Sequence, residues 1–149
     1  MKASSAIKSY NKVGLESGVF GADPHGLISM LFEGALIQIA NATNEIQRKE
    51  TAAKGKSISR AISIIGEGLD ASLDKEVGGE LAQSLSSLYY YMAVRLVEAN
   101  LKNDIAILDE VARLLTELKG AWDGIRPKVM NTAPRTGATA NPKRVRATA

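Results

Sequence analysis

Leu108, Val111, Leu115, Leu118, Trp122 and Ile125 follow one another at alternating steps of three and four residues. Those steps stack side chains on one side of an α-helix but scatter them over both faces of a strand. A helix with one long apolar seam draws most of its stability from packing that seam against other elements. The chain supplies matching partners. Between Asp23 and about Lys49, Ile28, Phe32, Ala35, Ile39, Ala42 and Ile46 repeat at the same steps, with Leu31 and Leu36 widening the stripe. A second helix is expected from about Thr51 to Asp74, with Ile58, Ile62, Ile65, Leu69 and Leu73 on its seam. A third, from about Glu80 to Asn103, carries Leu81, Leu85, Leu88, Met92, Leu96 and Ala99. The fourth starts near Asp104 and is expected to stop at Arg126-Pro127. No alternating β-branched run lies between turn residues.

Punctuation agrees with this division. Asp23-Pro24 is a helix start, with a side-chain acceptor at the cap and a ring pre-set for the first helical residue. Gly66 and Gly68 weaken the second helix, by up to about 1 kcal/mol each relative to alanine. Gly78-Gly79 breaks the chain before the third. The expected fold class is all-α: an antiparallel four-helix bundle with a short N-terminal helix or flap and a disordered basic C-terminal tail. Its parts are a flap over 1–22, a bundle over 23–126 and a tail over 127–149.

Charge is divided unevenly. From Arg126 onward there are six basic residues and no acidic one, which leaves 13 basic against 16 acidic residues in 1–125, a net of −3. The tail also holds three of the four prolines, so it has little to bury and reads as disordered. It lacks the interleaved aromatics of a nucleic-acid arm, and no nucleic acid is expected as a partner. No unbroken apolar run of about 18 residues is present, so no stable membrane insertion is expected, and the amino terminus lacks a secretory h-region. With no cysteine, disulfides and thiolate-ligated metals are excluded, which suits a cytoplasmic protein.

Chemistry is sparse. His25 is the only histidine and reads as a first-turn surface residue. It cannot supply the paired Glu-x-x-His motifs of a di-metal bundle. No phosphate-cradling glycine loop or nucleophile–base arrangement is recognisable. Glu45, Glu67, Asp109 and Glu110 fall on polar faces, with Asp109 and Arg113 spaced for an ion pair. The residues point to neither an enzyme nor a cofactor.

Two features exceed the needs of a plain bundle. Ile7, Tyr10, Val13, Leu15, Val19 and Phe20 form an apolar leader interrupted by Gly14, Gly18 and Gly21, too weak to fold alone and therefore displaceable. Tyr89, Tyr90 and Tyr91 point in three directions around a helix, so at least one ring lies near the surface, where tyrosine suits protein binding.

Over residues 10–125 the chain resembles the flagellin-specific type III export chaperone family. The resemblance is carried by Tyr10, Val13, Ser17 and Val19, by Ala22-Asp23-Pro24 with Leu27-Ile28, and by Met30-Leu31-Phe32-Glu33-Gly34-Ala35. It continues through Ile62, Leu69, Gly78-Gly79-Glu80-Leu81-Ala82, Leu88-Tyr89-Tyr90-Tyr91-Met92, Glu98-Ala99-Asn100, Leu118 and Trp122. Phe32-Glu33 departs from the family's frequent Tyr-Asp, and the basic tail lies outside the match. The resemblance implies a cytoplasmic chaperone that binds the disordered C-terminal segment of flagellin, blocks premature polymerisation and delivers it to the export gate platform. Some members also bind an anti-sigma or translational regulator. Ile7, Tyr10, Val13, Leu27, Leu31, Tyr89, Tyr90 and Met92 are the candidate flagellin-binding residues. The competing reading is a helical nucleic-acid-associated protein acting through its basic tail.

Overall fold

The structure, a computed structural model, describes residues 23–132. The flap 1–22 with Ile7, Tyr10 and Val13, and the tail beyond 132, lie outside the described residues. Among the described residues every regular element is helical: α1 Pro24–Gln47, α2 Thr51–Ser63, α3 Lys75–Lys102 and α4 Ile105–Thr132. The chain separates into two compact units, residues 1–119 and 120–149. The second contains the last turns of α4, where Trp122 is half-buried and Ile125 exposed. All packing described below belongs to the first.

α1 begins as its sequence directs. The Asp23 carboxylate accepts the Gly26 amide at 2.7 Å and Pro24 occupies the first turn. Its far end closes through Lys49 in the left-handed region, with the Glu50 amide reaching the Glu45 carbonyl at 2.8 Å. α2 then runs back along α1. The Ser57 hydroxyl donates to Glu45 Oε1 at 2.8 Å near the turn. Near the opposite end, a Cβ on Gly68 would stand 3.0 Å from Leu31 Cδ2. The absence of a side chain at Gly68 is what lets α1 approach so closely.

The second helix is not continuous to Asp74. Its α-helical part ends at Ser63, a π-helical stretch covers Ile64–Leu69, and a 3₁₀ turn covers Asp70–Ser72. Both weakening glycines, Gly66 and Gly68, fall inside the widened turn. α3 starts earlier than its seam implies, at Lys75, because Asp74 caps the amides of Glu76 and Val77. Gly79, at φ 56°, interrupts it, and regular helix resumes over 80–102. Glycine is required at Gly78 as well, since a Cβ there would come within 2.8 Å of Ala82 Cβ.

Asn103 in the left-handed region ends α3, and Asp104 caps α4 by accepting the Ala106 amide at 3.0 Å. α4 returns antiparallel along α3, tied to it by Tyr91 and Arg95 on Glu110. The expected stop at Arg126-Pro127 does not occur; α4 continues to Thr132. Proline's fixed φ is itself helical. It removes one amide donor and crowds one carbonyl, but the turns on either side retain their own hydrogen bonds.

The core contains Leu31, Ile39, Ile58, Ile65, Met92, Leu96, Leu108, Val111 and Leu115, all fully buried. One expected seam residue of the first unit is not covered: Leu81 is exposed. Periodicity assigns a residue to a face; it does not ensure that another element reaches that height. His25, expected at the surface, is buried. It stands one heptad before Phe32 and so extends the inward stripe of α1. α1 also meets the length and mean hydropathy, 1.2, of a spanning helix. It contains no unbroken apolar run; the value follows from uncharged Asn, Gln and Ser filling a helix poor in charge. Its Leu31, Phe32, Ala35, Ile39 and Ala42 are buried in the helical core.

At the end carrying the α1–α2 and α3–α4 turns, Lys54 is buried. Its ammonium donates to the Asn100 carbonyl at 2.9 Å and to Asn103 Oδ1 at 2.7 Å. A cation at the C-terminus of α3 meets the negative end of the helix dipole there. The adjoining cleft of about 390 Å³ has Glu45, Glu50 and Lys49 on its walls as well as Lys54, so its charge is mixed.

Candidate functional site

α3 is apolar on two sides. Ala82, Tyr89, Met92, Leu96 and Ala99 face inward and are buried. Tyr90, Val94, Val97 and Leu101 follow steps of four, three and four on the outward side, with 73, 46, 48 and 79% of their surface exposed. At 3.6 residues per turn, this second stripe lies roughly opposite Met92 and Ala99. It is bounded in its own register by Ser87 and by the capping Asp104. A surface helix normally shows a polar outer face, so a continuous apolar strip there is the candidate interaction surface.

The two borders of the strip differ. On one side a ladder of polar groups joins α3 to α4. The Tyr91 hydroxyl donates to Glu110 Oε2 at 2.5 Å and Arg95 Nε donates to Glu110 Oε1 at 2.8 Å. Arg95 Nη1 also donates to Glu98 Oε1 at 2.7 Å, and Lys102 Nζ to Glu98 Oε2 at 2.8 Å. Hydrogen bonds from Tyr91 and then Arg95 hold the Glu110 carboxyl below the usual carboxylate range. Lys102, followed by Arg95, does the same for Glu98. The bond to Glu110 also raises the Tyr91 phenol. These groups are largely open to water, so their energetic weight is small. Their effect is geometric: two acids and two bases form a balanced border. The expected Asp109–Arg113 pair is not formed; Glu110, one residue on, faces α3 and pairs with Arg95. On the other border stand Ser86, Ala93 and Asn100, small or uncharged and half-buried.

The structure distributes the candidate residues unevenly. Leu31 and Met92 are fully buried, and Tyr89 is only 5% exposed. Burial first, and then the charge of Asp70, pushes the Tyr89 phenol up to about 12. These side chains build the body and present no open surface. Leu27 is half-buried, and Tyr90 stands fully on the outer strip. Ile7, Tyr10 and Val13 lie outside the described residues. Val94, Val97 and Leu101 are absent from the candidates drawn from sequence. The signal for them is a second three–four pattern out of phase with the first, masked by the inner seam on the same helix.

The comparisons with known proteins agree on one family. The profile described as Flagellar protein FliS matches residues 6–129. The chain is 47% identical over 128 residues to the "Flagellar secretion chaperone FliS" of Salmonella typhimurium, covering 86% of this chain and 95% of that protein. It is 50% identical over 125 residues to the "Flagellar secretion chaperone FliSB" of Pseudomonas aeruginosa, covering 84% and 98%. Similarity extends to the Bacillus subtilis "Flagellar secretion chaperone FliS", at 36% over 107 residues, covering 72% of this chain and 78% of that protein.

Proposed function

The chain belongs to the flagellar protein FliS family of flagellar secretion chaperones, and from that membership we propose that it holds flagellin for export. In this reading it acts in the cytoplasm without catalysis. It binds the disordered C-terminal segment of flagellin, keeps it from polymerising and hands it to the export gate platform. The single structural observation that carries the reading is the open strip Tyr90–Val94–Val97–Leu101 on a helix whose inner face is already packed. An amphipathic segment of flagellin folds as it binds, laying apolar residues at i, i+3, i+4 and i+7 along this strip. The ordering cost keeps the complex releasable, which a cargo bound for export requires.

Titration calorimetry with a flagellin C-terminal peptide tests the site. Tyr90→Ala and Val97→Ser should each weaken binding by about 1–2 kcal/mol, the scale of a modest hot spot. Unchanged affinity in both variants would move the cargo away from α3.

A further inference from the structure

The basic tail has no part in the reading above, and the body carries its complement. Residues 67–80 hold five acidic residues, Glu67, Asp70, Asp74, Glu76 and Glu80, against one lysine, Lys75. The rest of 1–125 is close to neutral, with 12 basic against 11 acidic residues, so the body's negative charge is concentrated in this segment. Farther along α3, Glu98 is matched by Arg95 and Lys102. Among the described residues, Glu67, Asp70, Glu76 and Glu80 take no ion pair, and one Asp70 carboxylate oxygen is buried without a hydrogen-bond partner. Asp74 is occupied in capping α3. Charge is not the only open feature here. Val77 and Leu81, each next in sequence to one of the unpaired acids, are 85 and 68% exposed. The dipole of α3 accounts for an acid in its first turn, but not for two large apolar side chains left in water beside it.

We propose that the chain's own tail covers this face, with Lys143-Arg144-Val145-Arg146 docked along it, the cations against Glu76 and Glu80 and Val145 over Val77 and Leu81. The run sets one apolar group among three cations, as the face sets two apolar groups beside unpaired carboxylates. From Arg126 onward no acidic residue competes for those cations. The tether supplies what the contacts lack. Exposed ion pairs are individually weak. A segment on the same chain, however, sits at an effective concentration of about millimolar, so even a site of about millimolar affinity is about half filled. The chain from Thr132 to Lys143 extends to about 36 Å at most, so the run samples a wide volume around the end of α4. The docked tail keeps other basic segments off the face, and its hold weakens as salt screens the pairs. Tail and face stand apart from the outer strip and its cargo.

The chain has no cysteine, so Thr148→Cys places a single nitroxide beside the basic run and leaves the body unchanged. Nuclear magnetic resonance of the full isotope-labelled chain, diluted into unlabelled native chain, then reads contacts within one molecule. The amides of Val77 and Leu81 should broaden, and those of Val94 and Val97 should stay sharp. Glu76→Gln combined with Glu80→Gln removes two pairs and should weaken docking by about fivefold, sharpening both amides again. Its circular dichroism should match the parent, because both glutamates are exposed. Salt of about 1 M, where the Debye length is about 3 Å, should act in the same direction. Sharp amides at Val77 and Leu81 in the parent, or broadening that the double substitution leaves unchanged, would overturn the proposal. Broadening seen only when nitroxide and isotope are on different chains would also overturn it, since the occupant would then be another copy's tail.

Discussion

Tyr89 and Tyr90 are chain neighbours with identical side chains and opposite circumstances: one is sealed inside the bundle, the other is 73% exposed. The same contrast runs the length of α3. Met92 and Leu96 are fully buried, while Val94 and Val97, two and one residues away, stand half open. Residue type does not separate the two faces, since both are apolar. Register does. A turn of about 100° per residue decides whether an apolar group is held by the fold or is left for another molecule. A helix that is apolar on both sides thus walls the core with one face and, in the reading proposed above, offers the other for docking.

Leu96→Ala is the strongest challenge to that contrast. It removes a fully buried side chain and should destabilise the protein by about 2–5 kcal/mol, read from denaturant unfolding. A loss under about 1 kcal/mol would mean that the inner face is loosely packed. Alkali probes the same face through Tyr89. A phenol raised to about 12 in the folded state binds its proton more tightly than the unfolded phenol near 10. The resulting stability is present in full below pH 10 and is lost as pH rises through 12, at up to about 1.4 kcal/mol per unit. Tyr89→Phe should flatten that slope; a slope that survives the substitution belongs to another group. The smallest effect is expected on the outer face. Tyr90→Ala and Val97→Ser should each change the unfolding free energy by no more than about 0.5 kcal/mol, as surface substitutions do. A larger loss in either would erase the distinction between the faces.

Much of the body was legible because local chemistry and periodicity agreed. Asp23-Pro24 and Asp104 cap where their side chains direct, and Leu108, Val111 and Leu115 bury as their spacing predicts. The tyrosine run sends one ring in and one out by helical geometry alone. Other features depended on what lies across from a residue. Lys54 is buried because Asn100 and Asn103, nearly fifty residues later, offer acceptors at the right height. Leu81 keeps its place in the seam pattern yet has no cover. The outer strip was hidden by its resemblance to ordinary core spacing. Seeing it required knowing which apolar residues of α3 the core had already taken.

Lys54 has a further consequence, in the order in which the bundle comes apart. At its end of the molecule, one ammonium bridges the first turn of α2 to the last turn of α3, so neither fluctuates alone. At the other end lie the π-helical Ile64–Leu69, the short 3₁₀ turn and the break at Gly79, all with weaker backbone geometry. The bundle is therefore zipped at one end and loosely closed at the other, and its partial openings run in one direction. Partial opening is expected to begin around 64–79 and to travel toward the lysine. The outer strip, whose Leu101 lies beside the Lys54 bridge, is expected to keep its shape at that end while the far end frays.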